Sequence, residues 1–278
     1  MTKLNLLSGL AVLTFALPEV SGAAELQPAA LKAWSEYVAG ADARMQARAE
    51  GKRSFLWSDE SSARNTLQRP GEPIVSPVFG NGMQTVPGAL IHHWVGAIFI
   101  PNITITDLRT VMGDYDRYKE FYSPVVAESK SLGATESGSR FVMIWHHHAF
   151  FIDAAIEAQY QGRTFTVDAR RGYNMVTTTQ VREIEYFRQK GQRFLPPDTG
   201  NGFIWRFHTI ARYEERDGGV HLEVEAMALT RDMPSSLRWL IAPLVARLSV
   251  NSLSTCLRQT RDAVLTASRR TAARTGEQ

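Results

Sequence analysis

Three consecutive histidines, His146, His147 and His148, interrupt the apolar run "MIWHHHAFFID" at residues 143–153. Imidazoles so placed could hold a zinc ion or move protons near neutral pH. Neighbouring side chains on a strand point to opposite faces, so at most two of the three could share one ion. Carrying the alternation of "FFIDAAIEAQYQ" backwards puts His146 and His148 on its apolar face. A third ligand would have to come from His92, His93, His208 or a carboxylate, and no metal-site spacing supplies one. The expectation is an exposed turn that the histidines form or flank, with no metal.

Other catalytic chemistry is equally hard to assemble. The chain lacks a nucleophile elbow, a phosphate-binding glycine loop and a zinc-protease helix. Asp114 and Asp116 sit at a helix end, where capping accounts for them. Glu223 faces Arg212 on a polar strand face, and Arg206 and Arg231 read as surface charge. No acid and base pair stands out, which favours binding over catalysis, and no cofactor is called for. The lone Cys256 lies among Leu253, Leu257 and Val264 at helical spacing and reads as a small core residue.

The 278 residues, 44% apolar with a net charge of +3, can bury a full core and show no basic stripe for nucleic acid. Lys3, the apolar residues 4–17 and the small residues of "PEVSGAA" form a signal-peptide pattern over residues 1–24. The expectation is an exported, periplasmic protein, cleaved near Ala23 and Ala24, with an uncleaved anchor as the alternative. The basic, apolar-poor "SRRTAARTGEQ", residues 268–278, predicts a disordered tail.

Residues 25–85 divide into a helix over 26–49, with Trp34, Val38, Ala41 and Met45 at spacings of three and four, and a Ser/Pro/Gly-rich linker or surface wrap over 58–85. From residue 86 the pattern becomes a strand covered on both faces, "VPGALIHHWVGAIFIPN". Two short helices follow, with Thr104 and Asp107 at capping-box spacing. A run of strands comes next, and helices over 234–267 close the chain. Asp217-Gly218 predicts a two-residue hairpin turn. If Arg216 faces Gly219, then Phe207, Thr209, Ala211 and Tyr213 fall opposite Ala228, Ala226, Val224 and Leu222 on one face, with Trp205 opposite Thr230. That face is large at its ends and small in the middle. Something can lie against it: a ligand, or the apolar stripe Leu237, Leu240, Ile241, Leu244, Val245 and Leu248 of the last helix.

This order of elements resembles the START-like (SRPBCC) superfamily, and more narrowly its uncharacterised exported bacterial members. "DYDRYKEFYSPVVAESKSL" and "GFIWRFHTIARYEERDGGVHLEVEAMALTRDMPSSLRWLIAPLV" carry the likeness. It covers residues 86–267 and implies an α+β helix-grip fold: a curved antiparallel β-sheet wrapped around a long C-terminal helix, with two short helices after the first strand. The N-terminal helix is extra. The resemblance implies a cavity between sheet and helix that takes a hydrophobic small molecule or lipid. The expected lining is Ile156, Tyr160, Trp205, Phe207, Thr209, Ala226, Leu240 and Leu244, and transient membrane contact is a further expectation. The alternatives are a polyketide cyclase- or hydratase-like enzyme in the same cavity and a scaffold with a filled core.

Overall fold

The computed structural model describes residues 24–67, 70–149, 152–232 and 235–275. The signal-peptide expectation, apart from Ala24, therefore lies outside the described residues. So do residues 276–278 of the tail.

The chain opens with β1 (Ala24–Glu25), α1 (Pro28–Ala49), α2 (Ser62–Leu67), β2 (Ile74–Pro77), β3 (Met83–Val86) and β4 (Ala89–Pro101). Two short helices follow, α3 (Ile105–Gly113) and α4 (Tyr118–Phe121), and then β5 (Val126–Thr135), β6 (Gly138–Ala149), β7 (Ile152–Thr166) and β8 (Arg171–Glu185). The short β9 (Arg193–Phe194) and β10 (Thr199–Gly200) lead to β11 (Arg206–Arg216), β12 (Gly219–Arg231) and α5 (Ser235–Thr275). One antiparallel sheet runs β2-β4-β12-β11-β8-β7-β6-β5, with β3 also beside β4 and β9 beside β8.

Local chemistry explains the best-defined elements. Asp217 and Gly218 both adopt positive φ, 57° and 76°, as a tight hairpin turn demands. The register then runs from Arg216↔Gly219 to Arg206↔Leu229, as the sequence predicts. Thr104 and Asp107 form the capping box that starts α3. β4 is buried on both faces over most of its length, because α5 covers one face of the sheet and α1 the other.

The structure corrects several expectations. Two short pieces of the expected linker belong to the sheet, since β2 and β3 both pair with β4. Their alternation was obscured by proline and glycine at their flanks. "FFIDAAIEAQYQ" and "TFTVDA" contribute to one strand, β7. The last helix is continuous and runs to Thr275, so most of the tail is helical. Its alanines and arginines are good helix formers, which the polar composition masked.

The largest correction concerns the hairpin's polar face. The sequence reads it as surface, yet α1 and the turn after it lie over it. Trp34, Ala41 and Met45 of α1 pack in one cluster with Ile91, Met175, Ile210 and Met227. Among these apolar groups Arg212 contacts both Glu223 (2.7 Å) and Glu225 (2.8 Å). His93 Nε2 lies 2.9 Å from Glu225, and Tyr37 Oη lies 2.6 Å from His93 Nδ1. The backbone amides of Trp57 and Ser58 donate to Glu223. Burial pushes the Glu225 carboxyl up, but the His93 hydrogen bond and the Arg212 charge outweigh it and hold it well below the usual carboxylate range.

A groove on the inner face

The face of the sheet that α5 covers is built unevenly. Along the second half of α5, Leu253, Leu257 and Val264 are buried with Trp94, Ile98 and Ile100 of β4. Gly96 makes this close seating possible. A Cβ there would come within 2.7 Å of Leu257 Cδ1.

Toward the start of α5 the packing loosens. Leu244 is 42% exposed, and Val245 and Leu248 are only half-buried. The opposite wall matches: Phe207, Thr209, Val224, Ala226 and Ala228 are half-buried too. Thr209 faces Ala226 and Phe207 faces Ala228 in the ladder, so two alanines leave a trough between bulkier rows. α5 approaches β4, β2, α3 and α4 most closely, and Ala211 and Leu222 of the closing hairpin share its core cluster.

Beside this trough lies a small cavity of about 10 Å³, lined by Trp145, Ile156, Ala158, Tyr160, Thr178, Val181, Ile204 and Phe207. That is space for about one water. Its walls are aromatic and aliphatic. Stacked rings continue from Tyr160 through Phe141 to Tyr115, at centroid distances of 4.8 and 4.1 Å. Burial raises the Tyr160 hydroxyl far above its ordinary range, so it stays protonated. Trp145 Nε1 is buried without a hydrogen bond of good geometry. The lining holds no carboxylate, amine or imidazole. The nearby buried carboxylate, Glu183, accepts from the amides of Asn201, Gly202 and Phe203, which ties it to a loop.

Of the residues expected to line the site, Ile156, Tyr160 and Phe207 meet at the cavity. Thr209 and Ala226 form the adjacent trough, and Leu244 projects from α5 near its start. The side chain of Leu240 lies outside the described residues. Trp205 is elsewhere, buried in the α1 cluster. The hairpin ladder begins at Arg206, so Trp205 precedes the alternation, and its ring packs over Gly202, where a Cβ would come within 2.7 Å of it. Trp145, Thr178 and Val181 were missed. Trp145 precedes the histidines that drew attention, and the extra residue between the pairs Gln159↔Gln180 and Tyr160↔Thr178 shifts the alternation of β8.

The histidines flank the β6–β7 connection from within β6. Pairing sets their faces: His147 opposes Ala154 and His146 opposes Ala155, which reverses the expected assignment because the chain doubles back between the strands. His146 stands edge-on to Phe187 and His147 is exposed. Among the described residues no three His, Cys, Asp or Glu side chains converge on a point. Cys256 is half-buried in α5, and burial pushes its thiol up to about 11.

An antiparallel sheet carrying two short helices after its first long strand and gripping one long C-terminal helix defines the architecture. This is a helix-grip arrangement. Among solved structures the chain is similar to the STAR-related lipid transfer protein from Xanthomonas axonopodis, at 16% identity and a TM-score of 0.40 over 66% of this chain and 98% of that one. Human STARD10 aligns at 8% identity and a TM-score of 0.42, over 81% of this chain and 86% of that one. The Zhui aromatase/cyclase from a Streptomyces strain aligns at 14% identity and a TM-score of 0.39, over 65% and 96% respectively. No family model and no curated protein matches the sequence.

Proposed function

We propose that the protein binds a hydrophobic small molecule or lipid between the sheet and the first half of α5. One observation carries this reading: apolar residues of both elements, Leu244 and Val245 on the helix and Phe207, Val224 and Ala226 on the sheet, are left partly exposed. A filled core would have buried them as it buries Leu253 and Leu257. The cavity by Tyr160 is too small for a lipid, so the body of the ligand lies in the trough between the half-buried walls. Covering about ten methylenes would contribute about 8 kcal/mol before ordering costs.

A cyclase- or hydratase-like reaction needs an inward acid or base. The small cavity carries no carboxylate or imidazole, and its Tyr160 hydroxyl is held protonated, which supports holding a ligand there over base-catalysed chemistry on it. The test is native mass spectrometry of the purified protein, followed by solvent extraction. An apolar molecule of defined mass that leaves on extraction supports binding. Ligand-free protein that also fails to take up a fluorescent fatty acid counts against it.

We further propose that the chain acts in the cell envelope after export, on the strength of the signal-peptide pattern over residues 1–24. N-terminal sequencing of periplasmic material should begin at Ala24 or Glu25. Intact Met1 on cytoplasmic protein would refute export.

A further inference from the structure

The inner face of β4 carries a polar anomaly. His92, Trp94 and Gly96 share that face by alternation, and in the ladder they oppose Ala228, Ala226 and Val224, the floor of the trough. His92 and Trp94 are both buried, yet His92 Nδ1 and Trp94 Nε1 have no hydrogen-bond partner. Buried polar atoms left in this way are uncommon and costly. Two of them on adjacent inward positions of one strand call for an explanation.

The hydrogen bonds around His92 settle what its free nitrogen can do. Its Nε2 lies 3.0 Å from Thr230 Oγ1, and that hydroxyl donates to the carbonyl of Arg231. With its proton so directed, Thr230 accepts from Nε2–H. Burial lowers the His92 pKa to about 4, so the ring is neutral at physiological pH. The neutral ring has one proton, and Nε2 holds it. Nδ1 is therefore a lone pair in need of a donor. The Trp94 indole lies instead over Gly82, where a Cβ would come within 2.8 Å of its Nε1. A group that donates suits the His92 nitrogen, and an ionised carboxylate, which only accepts, does not.

Resting on the groove reading above, we propose that the ligand is a long-chain alcohol whose hydroxyl donates to His92 Nδ1 while its hydrocarbon lies along the Ala226 and Ala228 trough toward Phe207. The histidine reads the headgroup, and the alanines make room for the body.

The test measures displacement of an uncharged lipophilic fluorophore from the wild-type protein by hexadecanol and by its methyl ether, which keeps the chain and the oxygen but cannot donate. The alcohol is expected to bind about tenfold more tightly, the scale of one buried hydrogen bond. In His92→Phe the preference should vanish while ether binding is kept. In Thr230→Val it should weaken, because the ring is free to place its proton on Nδ1. Equal binding of alcohol and ether to the wild type would overturn the hydroxyl assignment and leave the apolar groove standing. A preference that persists in His92→Phe would overturn the role of His92. If the wild type binds neither ligand nor dye, the groove reading falls and this inference with it.

Discussion

Arg212 Nε donates to Glu223 Oε2 across 2.7 Å, and the two residues are 1% and 0% exposed. The sequence places them opposite each other on a polar strand face, and they are opposite each other. The difference lies in what covers them. Glu223 also accepts from the Trp57 and Ser58 amides, so one carboxylate ties the turn after α1 to the middle of the sheet. An exposed pair would contribute under about 1 kcal/mol, whereas breaking a buried one costs about 3–5 kcal/mol because a charge is stranded.

Glu223→Gln should therefore lower unfolding stability by about 3 kcal/mol or more in urea titrations. The comparison is Lys32→Ala, which removes a surface pair whose side chains are 80% and 69% exposed and should change little. Equal, small effects from both changes would mean that Glu223 is solvated and α1 is not seated on the sheet.

This pair also marks the limit of what a single sequence discloses. Periodicity and turn chemistry report neighbours in the chain, and so the hairpin register, the capping box, α1 and the helix-grip order were legible. Whether a strand face meets water depends on which distant segment lies on it. Residues 58–85, rich in Ser, Pro and Gly, read as a linker or surface wrap, yet Ser58 is fully buried and its amide binds Glu223. The same limit applies at the site. Ile156, Tyr160 and Phe207 follow from alternation, while Trp145 and Thr178 reach the cavity only through the pairing of β6 and β8 with β7.

α5 should respond to truncation differently along its length. Leu257 is fully buried against Gly96, so Leu257→Ala should cost about 2–5 kcal/mol. Leu244 is 42% exposed, and Leu244→Ala should change stability by less than about 0.5 kcal/mol while weakening uptake of a fluorescent fatty acid. Thermal melts and dye titrations of both variants check this. A large stability loss at Leu244 would show that the first half of the helix is packed in solution.

Burial of His92 predicts an acid-side loss of stability. Its pKa falls from 6.5 to about 4 on folding. Between those values the unfolded chain binds a proton that the folded chain does not. The contribution is thus complete above pH 6.5 and lost as the pH falls to 4, a change of about 3 kcal/mol. Denaturation at pH 7 and pH 4 should show a fall in stability that is smaller in His92→Phe by about that amount. Identical falls in the two proteins would mean that the imidazole is solvated.

The trough itself can be probed by adding volume at two inner-face positions in neighbouring rows of the sheet. Gly96 opposes Val224 and sits under Leu257, and the half-buried Ala226 opposes Trp94 and Thr209. Gly96→Val puts carbon where Leu257 Cδ1 already lies within 2.7 Å of a Cβ, so it should overpack the core and cost about 1–3 kcal/mol. Ala226→Phe adds more volume but directs it into the space between the half-buried walls. Its expected cost is under about 1 kcal/mol, since no close-packed neighbour must move, whereas dye uptake should fall at least about tenfold because the ring occupies the ligand's place. The two effects thus dissociate: Gly96→Val melts earlier yet still binds, and Ala226→Phe melts normally yet does not bind. If Ala226→Phe destabilises as strongly as Gly96→Val, the first half of α5 already fills the trough and the groove is closed to any ligand.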